Sequence, residues 1–214
     1  MYNQIAVKLQ KMDSFAYDNF RPEELDIALN DAQYKFIKSR LSMRHDPKQA
    51  GFEKNQKRLN DLRDLIEPWS EDLESVHPGN GEETAFELPE DFFVEVSTKG
   101  LVSRNEVHYQ VPVRIVENER FDQDMQNPFR QPTSSSLPGY IAGNKLVIKP
   151  KEKDILLGLR GTYVRIPKKI DLSSDCELPQ YTHPEIVDLA VTQLLEVLES
   201  KRYQTSKIEA SQSD

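Results

Sequence analysis

Glu177-Leu-Pro-Gln-Tyr-Thr-His-Pro-Glu-Ile-Val-Asp-Leu-Ala-Val-Thr-Gln-Leu-Leu, continued by Glu196-Val-Leu-Glu-Ser-Lys-Arg-Tyr203, is the stretch on which the reading of the fold turns. Thr182 has the hydroxyl of an N-cap, and His183-Pro184-Glu185 puts a ring imino group and a carboxylate where orphan N–H groups and the positive dipole end favour them. These signals predict a helix to about Arg202. Val187, Val191, Leu194 and Leu198 fall at i, i+4, i+7 and i+11, and Ile186, Ala190, Leu195 and Val197 flank them. A band this wide points to two neighbours. One edge then faces the chain's own core, while Ile186, Leu189 and Val197 are candidates for a contact with a second subunit.

Upstream, Arg21-Pro22-Glu23-Glu24 is a helix start, and Leu25, Ala28, Leu29, Ala32 and Phe36 form a core face on a helix reaching Ser42. A second helix is expected from Phe52 to Glu67, ended by Pro68, so that 22–68 reads as an αα-hairpin. Residues 1–21 have apolar anchors without a clear period and read as an N-terminal arm. From about 84 the period changes from 3.6 to 2. Phe92-Phe-Val-Glu-Val, Val107–Val116, Lys145–Lys149 and Thr162–Ile166 read as strands, and Asp154–Leu159 is a further candidate. Pro112 marks its run as an edge or bulged strand. Gly143-Asn144 fits a turn into the next strand, and 126–140 is too long and polar for a hairpin turn. The expected architecture is α+β. An N-terminal helical hairpin and a long C-terminal helix (return segment and helix, 168–202) enclose a small antiparallel β insertion over 84–167, and 203–214 forms a polar tail.

Composition narrows the function classes. Of the 214 residues 37% are apolar and 30% charged, and Pro (13) outnumbers Gly (8), which leaves few core residues for the length and favours burial between subunits. The formal charge of −8 opposes non-specific binding to nucleic acid, because grip on phosphate depends on Lys and Arg. No stretch reaches the roughly 18 apolar residues of a membrane span, and the first ten residues lack the pattern of a secretory signal. The single cysteine, Cys176, suits a reducing compartment, and its acidic neighbours disfavour a thiolate.

No catalytic, cofactor-binding or metal-binding residues are expected. His45, His77, His108 and His183 stand singly, without a ligand partner at i+3 or i+4. Glu82-Glu83 and Glu90-Asp91 are adjacent acids whose side chains diverge in extended chain. Phosphate loops and nucleophile elbows are absent from the sequence. An enzyme would need a cleft built from such groups as His108, Glu90 and Tyr109. The loop 126–140 carries three apolar anchors among Pro and Ser, namely Phe129, Leu137 and Tyr140, which with Tyr203 complete the candidate contacts to a partner.

Tyr163-Val-Arg-Ile-Pro-Lys-Lys-Ile, followed by Glu177-Leu-Pro and His183-Pro-Glu-Ile-Val-Asp-Leu-Ala-Val, resembles the ending of head-to-tail connector and tail-ring proteins of tailed bacteriophages, those of crAss-like phages in particular. Asn30-Asp-Ala-Gln-Tyr-Lys-Phe-Ile, Asn55-Gln-Lys-Arg-Leu and Leu88-Pro-Glu-Asp-Phe-Phe fit the same pattern, so the likeness spans most of the chain. The resemblance implies a structural virion protein of the neck, assembled in the host cytoplasm. It would form a homo-oligomeric ring, twelve-fold in the family, below the portal protein and against adjacent tail-ring proteins, with DNA passing through the bore. The reading that competes with it is a cytoplasmic α+β adaptor or regulatory protein, binding a protein partner at the edge of its β insertion.

Overall fold

The computed structural model of the chain describes residues 1–12, 20–42, 57, 59–73 and 81–212, with the backbone alone at 11, 12, 42 and 199–212. They fall into two units, Met1–Asp64 with Pro167–Asp214, and Leu65–Ile166. The second is built on seven strands: β1 (Ile66–Asp72), β2 (Thr84–Glu87), β3 (Phe92–Arg104), β4 (Val107–Ile115), β5 (Leu137–Ala142), β6 (Lys145–Ile148) and β7 (Ile155–Arg165). They form one mixed sheet in the order β1-β7-β3-β4-β5-β6-β2. All neighbours are antiparallel except β4 and β5.

This sheet corrects the expected fold class. The β part is neither small nor purely antiparallel, and it begins at Leu65 rather than 84. Residues 66–68, expected to end the second helix of the hairpin, lie in β1. Helical residues 59–62 pass through the 3-10 turn Arg63–Leu65 into this strand. Residues 52–56 and 58 of the expected helix 52–67 lie outside the described residues. Pro68 is tolerated in β1 because the strand is an edge that pairs with β7 alone.

Local chemistry explains the register. Asp154–Leu159 and Thr162–Ile166 are one strand, β7, whose two flanks approach at glycines. A Cβ on Gly158 would lie 2.7 Å from the Glu71 carbonyl oxygen, and one on Gly161 would lie 2.9 Å from that of Ser97. The β3–β4 hairpin closes on Asn105 and Glu106 at φ 49° and 67°, the two left-handed positions of a type I′ turn. Pro112 marks a changeover rather than an edge. Val107–Pro112 pairs with β3, and Val113–Ile115 then pairs in parallel with Leu137–Gly139. The loop 126–140 is correspondingly shorter. A helix, α3 (Asn118–Gln126), occupies its start, and β5 begins at Leu137.

Alternate residues of the strands supply one core, in which Phe86, Leu88, Val102, Val111, Leu137, Leu146, Ile148, Leu156 and Leu159 are buried and Trp69 packs against them. On β1 the half-buried positions 67, 69 and 71 alternate with exposed 68, 70 and 72. Two acids therefore share the inner face with Trp69. The Arg165 guanidinium pairs with Glu67 at 2.8 Å. The Glu71 carboxylate accepts the Glu87 backbone N–H of β2, the opposite edge strand, while its Oε2 is buried without a partner. A proline, inward acids and a four-residue β2 blunt both sheet edges.

The other unit joins both ends of the chain. The expected arm contains a helix, α1 (Tyr2–Met12), and α2 (Pro22–Ser42) and α4 (His183–Gln212) follow. α4 packs against both. Its helix runs through most of the expected polar tail. Ile5 and Leu9 of α1, Leu29 and Phe36 of α2, and Ile186, Val187, Ala190, Val191 and Leu194 of α4 are buried.

Candidate functional site

In the helical unit, three side chains of α2 bind what returns from the sheet. Asn30 Nδ2 donates to the Ile170 carbonyl (2.8 Å), and the Ile170 N–H donates to Asn30 Oδ1 (2.9 Å), an amide pairing that imitates a strand ladder. Gln33 Nε2 reaches the Lys168 carbonyl at 3.3 Å. Arg40, over the Phe36 ring at 4.3 Å, donates to the buried Asp61 (2.9 Å) and to Glu185 (2.6 Å). Further along, Glu177 accepts the Lys168 N–H at 2.9 Å, and the His183 ring nitrogen meets the Leu178 carbonyl at 2.9 Å. Thr182 is not the expected N-cap. It lies in the 3-10 turn Gln180–Thr182, and its hydroxyl donates to the Pro179 carbonyl at 2.8 Å.

In the β unit, Asp91 accepts the Tyr163 hydroxyl (2.8 Å), and its carbonyl accepts the Ile166 N–H (2.7 Å). Burial and then the Asp91 hydrogen bond push the Tyr163 hydroxyl up to about 12. Arg104 grips Asp154, 1% exposed, through two bonds of 2.5 Å, and its third nitrogen reaches Ser134 Oγ at 3.0 Å. This bidentate pair ties the end of β3 to the start of β7 and compensates a buried charge.

The groups expected for an enzyme-like cleft do not converge on one face. His108 and Tyr109 are consecutive in β4, so their side chains leave opposite faces, and Glu90 is exposed in the turn before β3. His45 and His77 lie outside the described residues. Among the described residues no group of three His, Cys, Asp or Glu is placed to hold a metal. Burial raises the Cys176 thiol, with Asp175 and Glu177 adding to the effect.

The partner-contact candidates separate sharply. Ile186 and Leu137 are fully buried in their own units, and Tyr140 is half-buried against the Phe121 ring at 4.5 Å. Ile186 and Leu137 are therefore not available as expected, while Tyr140 keeps part of its surface. Leu189 is half-buried and Val197 46% exposed, while the Tyr203 side chain lies outside the described residues. Phe129 stands alone at 94% exposed. Its backbone is held: Asn127 Oδ1 accepts the Phe129 N–H (3.0 Å), Arg130 Nη1 donates to buried Asp124 (2.6 Å), and Arg114 donates to the Arg130 carbonyl (2.8 Å). A cavity of about 430 Å³ opens in the helical unit beside Met1, Gln4, Cys176, Leu178 and His183. A second, of about 560 Å³, lies in the β unit beside Gln131, Lys149 and Lys151. Sequence reasoning missed the Asn30 clamp, although an asparagine on a helix with a long apolar face was its visible signal. No family model matches the chain, and no curated protein matches it either.

Proposed function

We propose that the chain is a structural subunit of a head-to-tail connector or tail ring of a tailed bacteriophage, placed below the portal and continuing the conduit for genome ejection. The observation that supports this best is what the segments of the resemblance do. They come from distant parts of the sequence, and within each unit they hold one another: Asn30 with Ile170, Asp91 with Tyr163, Glu177 with Lys168. Residues used in this way fix a shared structure, so their pattern and order carry more weight than composition would. Of Asn55–Leu59, only Lys57 and Leu59 are among the described residues.

A ring built by a heterologous contact that closes by rotation fits the exposed apolar side chains Ile27, Phe129, Leu172 and Val197. Twelve copies at −8 each give a charge of about −100, which suits a bore through which DNA passes without being held. The adaptor reading needs an open sheet edge, and the inward acids and Pro68 of β1 oppose it. Mass photometry of the purified chain, alone and with a portal protein, tests the proposal. A discrete high-mass species at a multiple of 24.7 kDa is expected. A chain that stays monomeric at every concentration, with and without portal, would refute it.

A further inference from the structure

We infer that Glu71 is a proton-operated latch across the seam where the rolled sheet meets itself: protonated, it holds β1 to β2, and ionised, it lets the two strands part. The latch lies within one copy and goes beyond the ring reading, on which it does not depend.

β1 and β2 follow one another in sequence yet stand at opposite ends of the strand order, each with a single paired neighbour, β7 and β6 respectively. They are nevertheless close. Phe86 of β2 belongs to the apolar cluster against which Trp69 of β1 packs, and the Glu71 carboxylate accepts the Glu87 N–H. The sheet therefore curls until its two edges face one another. Among the described residues no strand ladder joins those edges, and the Glu71 side chain spans the gap.

This closure carries a built-in conflict. Oε2 of Glu71 is buried without a partner, so the ionised form holds a poorly compensated charge in the seam, which the neutral acid avoids. Its surroundings do little to relieve that. On β2, Glu87 adds a like charge, and on β7 the residue opposite is the buried Leu159. On β1 itself, Glu67 shares the inner face and takes Arg165 as its partner at 2.8 Å. Asp72 of β1, Arg160 of β7 and Lys145 of β6, the last paired in register with Glu87, are exposed. Burial raises the Glu71 carboxyl above 4.5, the Glu87 N–H opposes the rise, and the Glu87 charge adds to it. The latch is thus fully closed below the unfolded value and is released as pH rises through the folded one.

Trp69 is the single tryptophan and lies two residues from Glu71 on the same face, so its fluorescence reports the seam. As the full chain is titrated upward from pH 4.5, Trp69 emission is expected to shift to longer wavelength and its quenching by acrylamide to rise. Glu71→Gln, which cannot ionise, is expected to stay at the low-pH level throughout. In the wild type, hydrogen exchange corrected for its intrinsic pH dependence should show the Glu87 N–H losing protection over the same range, while the N–H groups of β3 keep theirs. A wild-type Trp69 signal that does not change with pH, a change that persists in Glu71→Gln, or a loss of protection that extends through β3 overturns the latch.

Discussion

The β unit and the helical unit solve the burial problem differently. In the β unit an unbroken run of paired strands encloses one apolar cluster, and both sheet edges are blunted by short length, proline or inward acids. The helical unit is assembled from the two ends of the sequence and depends on individual side chains: Asn30 and Gln33 on the 168–170 backbone, and Arg40 between Asp61 and Glu185. It leaves Ile27, Leu172, Tyr181 and Val197 exposed. The contrast teaches that a paired sheet closes its own core, while the helical unit, and in the β unit the loop at Phe129, leave apolar side chains exposed.

The comparison breaks most visibly at the sheet core. Phe86, fully buried on β2, is predicted to cost about 3–5 kcal/mol on replacement by alanine, because its neighbours come from several strands and collapse poorly. Chemical denaturation should register this as a large shift in midpoint. In the helical unit Asn30→Ala should cost less, about 1–3 kcal/mol, since the Ile170 N–H and carbonyl both lose their side-chain partner. Its signature would be faster hydrogen exchange at 168–170 with the β unit unchanged.

Smaller effects sharpen the picture of the sheet. Glu106→Gly should stabilise the protein by about 1 kcal/mol, because φ 67° is a left-handed position that glycine adopts without strain. Glu71 makes a pH-dependent case. Burial holds its carboxyl above the ordinary value of 4.5, with the Glu87 N–H opposing and the Glu87 charge adding to the rise. A raised value means that its contribution is fully present below the unfolded value and is lost as pH rises through the folded one. Glu71→Gln, which resembles the protonated form, should therefore melt higher than the wild type at pH 7, with the gap closing below pH 4.5. Thermal melts across that range check it. The same change removes an inward charge from an edge strand, so solubility is predicted to fall.

The start of β3, β4, β6 and the second half of β7 were legible because alternation is local and needs no partner to be read. β1 was not, since its Pro68 and flanking acids imitate a helix end, and only pairing with β7 makes it a strand. Nor was β5, where Leu137-Pro138-Gly139-Tyr140 has the composition of a turn and becomes a strand through parallel pairing with Val113–Ile115, far away in sequence. α1 escaped because, among its described side chains, the buried face consists of Ile5 and Leu9, too few to establish a period. With three strands unseen, the sheet looked like an insertion. Phe129 was legible as an anchor; its separation from Leu137 and Tyr140 was not, because that depends on where β5 starts.

Hydrogen exchange of the full chain, dilute against assembled, tests most directly the claim that the helical unit and the Phe129 loop carry assembly while the sheet is complete in one copy. The account predicts new protection at 127–131 and at 171–183, with β1 and β2 unchanged. Protection gained instead along Ile66–Asp72 or Thr84–Glu87, with those two segments unaffected, would contradict it and restore edge pairing of the sheet as the mode of association.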